Sequence, residues 1–366
     1  MSHPSLPRPR LGFYARAEFA LVGTTCARMD GLIREWQTAL FGHRVLSVIG
    51  DHGEEQTLAL RQFGSKQFTG GPVRWNDYDD RLLGRHFDLA LVNGNHYPAA
   101  RQIVFVDPAK AGTLARRAEQ LTDVAAIVLC PGAEEVPKFL EGARPQVQCE
   151  LEEAGRVLLP LLRDAADAAT PPVKALVLAG GRSTRMGTDK SRLTYRHDQP
   201  EAQRMVDLCR SRGLPTYLSL ASADDLPPAR ADGTVTDRFL GFGPLGAICS
   251  AFITDPDAAW LVLACDLPLF DAATLDDLLA ARAPGRTATA VRATDRSFPE
   301  PLVALYEPRA YPRLLEFLSL GYACPRKMLI NSDVTHLELT DPTPITNANT
   351  PEQRREVLER LAGRND

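Results

Sequence analysis

The sequence predicts a two-domain α/β protein, each domain a mostly parallel sheet with helices on both faces. Three observations carry that expectation. Short apolar runs bounded by glycine alternate with helix-like stretches, as strands buried on both faces require. The small, polar stretch Arg163–Pro172 ends in two prolines, which cannot continue a helix. The 366 residues also exceed what one hydrophobic core usually holds. The expected domains are residues 1–165 and 173–366.

In the first half the strand-like runs are Phe19–Val22, Val45–Ile49, Asp88–Val92, Gln102–Val106 and Ala125–Cys130. Helices are expected over Met29–Leu40, Thr113–Leu121 and Glu152–Leu162. The second half opens with the apolar run Val173–Ala179. Further strands are expected at Tyr217–Leu220, Trp260–Cys265 and Ala288–Val291. Its helices are expected at Gln203–Arg212, Leu245–Ile253, Ala272–Ala281, Ala310–Leu318 and Pro351–Leu361.

Composition narrows the function. With 42 basic and 46 acidic residues the net charge is −4, which argues against wrapping nucleic acid. No stretch approaches the length and apolarity of a membrane helix. Met1–Arg10 is polar and proline-rich with no apolar segment behind it, so no secretory signal is expected. The seven cysteines are scattered without a CxxC pair, which points away from a disulfide framework or structural zinc and toward a reducing cytoplasm. Cys130 and Cys265 each end an apolar run and read as small buried hydrophobes.

The strongest chemical signal is Leu178–Lys190, LAGGRSTRMGTDK, directly after a buried strand. Gly180 and Gly181 let the backbone bend and approach a ligand closely. Successive N–H groups in such a turn cradle an anion, and Arg185 and Lys190 bring the charge to neutralise a triphosphate. The spacing is neither a Walker A loop nor a dinucleotide fingerprint. A second signal is Ala264–Pro268, ACDLP, where Asp266 ends a strand and is placed to bind Mg²⁺ beside phosphates. A third, Asp237–Gly246, offers backbone to a base edge at a helix start. A fourth is NANTPE, in which Asn347 and Asn349 share a side if extended and Thr350 caps a helix.

With these motifs in order, the second half resembles the molybdenum cofactor guanylyltransferase family, of Rossmann-like nucleotidyltransferase fold. LAGGRSTRMGTDK, DRFLGFGPLGAI, ACDLPL, PLVALY (Pro301–Tyr306) and NANTPE carry the resemblance. It implies transfer of GMP from GTP to the phosphate of molybdopterin or molybdenum-molybdopterin, releasing pyrophosphate. It further implies that Leu178, Ala179, Gly180 and Gly181 hold the nucleotide and that Arg185 and Lys190 hold its phosphates, the catalytic set being Lys190, Arg185 and Asp266. Asp237, Gly243, Pro244 and Leu245 would lie near the guanosine, Asp266 would bind Mg²⁺, and Asn347 and Asn349 would line the acceptor or metal side. Related cytidylyltransferases resemble LAAG where this chain has LAGG, so Gly180 favours guanine. The family's GPLAG order is inverted here to GPLGA. A cytidylyl- or sugar-nucleotidyltransferase, or a non-catalytic nucleotide-binding partner protein, are the alternatives. Molybdoenzymes or other cofactor-biosynthesis proteins are further candidate partners.

In the first half, a Walker A loop starting at Gly23 would need Gly at 28 and Lys at 29, where the chain has Arg28 and Met29. Asp51–Gly53, Arg61–Gly64, Asp88–Gly94 and Gln102–Val106 make this half similar to the molybdopterin-guanine dinucleotide adaptor family, a P-loop fold. Asn93 stands where that family has Glu. The resemblance implies a degenerate, adaptor-like domain without GTP hydrolysis. His52, His86 and His96 lack metal-ligand spacing and read as ordinary loop histidines.

Overall fold

The interior strands of the first half are short, mostly aliphatic runs, and they assemble as such runs must, in a sheet covered on both sides. A computed structural model describes residues 6–10, 16–50, 61–63, 66–68, 76–179, 192–196, 199–348 and 350–362. Contacts divide the chain into two units, one of Arg10–Thr170 and one that includes Pro171–Asp366.

The first unit contains β1 (Ala17–Val22), β2 (Val45–Val48), a small hairpin of β3 (Arg61–Phe63) and β4 (Lys66–Phe68), β5 (Leu89–Asn93), β6 (Arg101–Val106), β7 (Val124–Leu129) and β8 (Val147–Glu150). Its helices are α1 (Cys26–Ala39), α2 (Asp77–Gly84), α3 (Ala111–Arg116) and α4 (Leu151–Ala168). The sheet order is β2-β5-β1-β6-β7-β8, all parallel. Alternation along β1 sends Phe19 and Leu21 to one core and Ala20 and Val22 to the other. Met29, Ile33 and Trp36 of α1 and Leu158 and Leu162 of α4 fill the first core, and Leu114 of α3 the second.

The expected helix Glu152–Leu162 runs further, to Ala168, and accepts Pro160 in its interior. The alanines of the stretch expected as a linker continue the helix, because alanine is the best helix former. The expected helix Thr113–Leu121 is α3 flanked by single 3₁₀ turns.

The second unit contains β9 (Val173–Leu178), β10 (Thr194–Arg196), β11 (Gln199–Pro200), β12 (Thr216–Leu220), β13 (Gly233–Thr236), β14 (Ala259–Ala264), β15 (Ala288–Ala293), β16 (Val303–Tyr306) and β17 (Val334–Leu339). Its helices are α5 (Glu201–Arg210), α6 (Gly243–Thr254), α7 (Ala272–Ala280), α8 (Ala310–Ser319), α9 (Pro325–Ile330) and α10 (Pro351–Ala362). The main sheet order is β13-β12-β9-β14-β16-β15-β17, parallel except for β16. Strands β13, β16 and β17 were not expected. β13 and β16 are only four residues long, β16 being apolar throughout, and β17 carries partly exposed polar residues.

Helices α5 and α7 contribute to the core on one face and α6, α8 and α9 to that on the other. Helix α6 is apolar nearly all round, and its residues Leu245–Phe252 are all buried. Fully buried Glu307 pairs with Arg282 at 2.7 Å, and Arg282 also donates to the Pro171 carbonyl, tying the start of the unit to its sheet.

Candidate active site

From β9 the chain passes to β12 on one side and later to β14 on the other, so strand order reverses at the β9/β14 pair. In open α/β sheets that switch, at the carboxyl ends of the strands, is where ligands bind. The register makes it specific: Leu178 pairs with Ala264, the last residues of β9 and β14. Leu178-Ala179 and Cys265-Asp266 therefore leave the sheet side by side. Leu178, Ala179 and Asp266 are half-buried. Gly180, Gly181, Arg185, Lys190 and Asn349 lie outside the described residues.

The turn carrying Asp266 is fixed from below. Arg204 of α5 donates to the carbonyls of Leu267 and Phe270, and Arg196 donates to that of Pro268. Arg204 is itself held by Glu201, which is only 1% exposed. Burial pushes the Glu201 carboxyl up, and the Arg204 guanidinium opposes that shift. From above, the Ala348 amide donates to the Asp266 carbonyl at 3.0 Å, which brings Asn347 to the same place.

Asp266 and Asn347 line one cavity of about 350 Å³, together with Pro244, Glu300, Cys324 and Arg326. Glu300 lies 3.2 Å from Arg326 and 4.0 Å from Arg296. Burial raises its pKa, opposed by these two guanidinium groups. Glu300, Cys324 and Arg326 were missed by sequence reasoning, since no spacing links them to the acidic turn. Asp266 and Asn347 come together on this cavity from strand and loop ends 81 residues apart.

The third motif divides its labour. Asp237 Oδ1 accepts from the Phe239 amide at 2.8 Å and from Ser250 Oγ at 3.3 Å, so this carboxylate pins its loop onto α6. Gly243 and Pro244 are exposed at the helix start, whereas Leu245 is wholly buried. The Leu245 side chain belongs to the core, and only its main chain is available to a ligand. The inverted GPLGA order also has a cause: a Cβ at Gly246 would stand 2.5 Å from the Phe239 carbonyl oxygen.

Comparison with known proteins matches this half. A family model described as the MobA-like NTP transferase domain covers residues 175–335. A molybdenum cofactor guanylyltransferase of Pseudomonas paraeruginosa is 33% identical over 190 residues, 51% of this chain and 94% of that protein. The chain belongs to the molybdenum cofactor guanylyltransferase family. A Synechocystis molybdenum cofactor biosynthesis bifunctional protein is 32% identical over 188 residues, 51% of this chain but 54% of the relative. A probable molybdenum cofactor guanylyltransferase of Opitutus terrae is 40% identical over 133 residues, 36% of this chain and 64% of the relative. The chain thus spans 54% and 64% of the length of these last two relatives.

Outside the family match, the first unit places its own strand–loop–helix at Val22–Met29. Gly23 has φ +93°, and a Cβ there would lie 2.3 Å from the Phe105 carbonyl oxygen. Thr25 Oγ1 accepts from the Arg28 amide and caps α1. Met29, where a Walker lysine would stand, is fully buried. Arg28 turns back to Asp107 at 2.8 Å and Thr24 Oγ1 at 3.0 Å, while Thr24 donates to the same Asp107 oxygen at 2.6 Å. Asp107 Oδ1 accepts from the Ala109 amide at 3.0 Å. Asn93 donates to Asp30 at 3.0 Å. No described helix is long and apolar enough to cross a membrane.

Proposed function

We propose that the second unit transfers GMP from GTP to the phosphate of molybdopterin or molybdenum-molybdopterin, releasing pyrophosphate. The observation that carries this reading is the Leu178–Ala264 register, which sets the start of the glycine turn beside Asp266 and the Asn347 cavity. Family membership supports the choice of reaction. An acceptor phosphate oxygen attacks the α-phosphorus in line, the bond to the bridging oxygen breaks, and pyrophosphate leaves with the electron pair. The acceptor is ionised at neutral pH, so no general base is needed. The protein's task is positioning and charge neutralisation. Lys190 and Arg185 take the triphosphate charge, the backbone at Gly180 and Gly181 cradles it, and Gly243, Pro244 and the Leu245 main chain face the guanosine. Asn349 joins Asn347 on the acceptor side.

Mg²⁺ suits the residues present. Asp266 and Asn347 offer hard oxygen donors on one wall, and no group of three or more His, Cys, Asp or Glu forms a protein cage among the described residues. That is the donor set of an ion shared with phosphate oxygens. Bound there, Mg²⁺ would offset the negative charge that builds between the phosphates.

For the first unit, we infer a degenerate adaptor-like domain; the Arg28–Asp107–Thr24 closure supports the loss of a phosphate site, and molybdoenzymes or other cofactor-biosynthesis proteins would be its partners. Uncombined cysteines throughout the chain fit a reducing, cytoplasmic setting. The test is pyrophosphate release with molybdopterin and Mg²⁺, comparing GTP, CTP, ATP and UTP. Release with GTP alone is expected. Preference for CTP would move the substrate to the cytidylyl class, and silence with every base would leave a nucleotide-binding partner protein.

A further inference from the structure

In the first unit, two side chains from the turn after β5 converge on the sulfur of Cys26. Cys26 is the first residue of α1. The Nε2 of His96, in the turn after β5, lies 3.4 Å from Cys26 Sγ. Asn95 donates to the same sulfur at 3.5 Å and to the Thr24 carbonyl at 3.1 Å, so it holds the two loops in register. Arg117 fixes the turn by donating to the Gly94 and Asn95 carbonyls at 2.7 and 2.8 Å. Gly50 backs the imidazole, since a Cβ there would stand 2.5 Å from His96 Cδ2.

The pair is within reach of small molecules. Cys26 is half-buried and His96 exposed, whereas Cys130, Cys149, Cys209, Cys249 and Cys265 are buried. Burial pushes the Cys130 and Cys149 thiols up, and those of Cys209 and Cys249 up to about 12, which leaves these four inert. A cavity of about 400 Å³ opens beside His96, walled by Asn95, Tyr97, Gln102 and Arg117. A half-buried nucleophile within reach of a base, with Asn95 holding the sulfur and the imidazole on the wall of a cavity, is the arrangement of a reactive thiol.

We propose that Cys26 is a nucleophilic thiol with His96 as its base, and that the site takes low-molecular-weight disulfides by thiol–disulfide exchange. Cys26 Sγ bonds to one sulfur of the incoming disulfide as that S–S bond breaks. The Cys26 proton passes to His96 Nε2 and on to the departing thiolate. Cys26 is oxidised to a mixed disulfide, the leaving half is reduced to a free thiol, and no other oxidant is consumed.

The experiment exposes the full chain to glutathione disulfide and, separately, to iodoacetamide. Adducts are followed by peptide mass spectrometry at Cys26 and at Cys324, the exposed cysteine. Cys26 is expected to react at least about tenfold faster than Cys324 with both reagents. His96→Gln should remove that advantage without moving the Cys324 rate. Gly50→Ala, which keeps the imidazole but displaces it, should do the same if the first variant loses its circular dichroism. Equal rates in the parent chain, or an undiminished Cys26 rate in both variants, overturn the proposal. Fast alkylation without mixed-disulfide formation overturns the choice of disulfides.

Discussion

Asp107 follows β6 and Asp266 follows β14, each at the carboxyl end of an interior strand with a parallel neighbour, and the two are held very differently. Asp107 is 7% exposed and takes hydrogen bonds from Arg28, Thr24 and the Ala109 amide. The chain supplies its own cation there, Arg28. Asp266 instead lines a cavity with Asn347, and its turn is braced from behind by Arg204 and Arg196. A strand-end carboxylate in a doubly wound sheet thus sits in a partly buried ion pair in one unit and on a cavity wall in the other. Topology offers the place, and local side chains decide its use.

The contrast can be broken at several points. The largest expected effect is on chemistry: Asp266→Ala should lower GTP-dependent pyrophosphate release by about 10²-fold or more, with circular dichroism unchanged. Near-parental activity would remove Asp266 from the site. Next is the brace behind it. Arg204→Ala strands the Glu201 carboxylate in the core, which should cost about 3 kcal/mol in urea unfolding and also depress turnover by loosening the acidic turn. A midpoint like the parent's would show that the pair is dispensable.

Smaller still is the first unit's closure. Arg28 is 38% exposed, so Arg28→Ala should cost only about 1 kcal/mol and leave guanylyl transfer at the parental rate. A large loss of transfer would mean that the first unit takes part in the reaction. The smallest effect concerns acid. Arg210 holds the Asp232 carboxyl, exposed at the surface, below its ordinary value of 3.8. A depressed folded-state pKa gives stability that is present above the unfolded value and lost as pH falls through the folded one. Asp232→Asn should therefore lower the melting temperature slightly at pH 7 and make no difference well below pH 3.8. A difference that persists in acid would point to lost packing instead of lost charge.

Much of this was legible in the sequence. The long apolar strands β1, β6, β7, β9 and β14 declare themselves because they are buried on both faces, and the motif ACDLP puts Asp266 after one of them. The C-terminal end of α4 did not, because alanine-rich acidic sequence serves a helix as well as a linker. Asp237 and Leu245 sit in the expected stretch, yet one pins a loop and the other fills the core, a division that depends on packing alone. Glu300, Cys324 and Arg326 join the cavity through β16 and α9, and Cys26 meets His96 across 70 residues of chain. Such pairings arise from strand order and carry no local periodicity.

The measurement that bears most directly on the contrast is the stoichiometry of GTP binding to the full chain with Mg²⁺, by calorimetric titration. One GTP per chain, weakened by Lys190→Ala and untouched by Arg28→Ala, is the predicted result. Two GTP per chain would contradict the closure of the first loop by Arg28 and Asp107, and none would contradict the nucleotide site at Leu178 and Asp266.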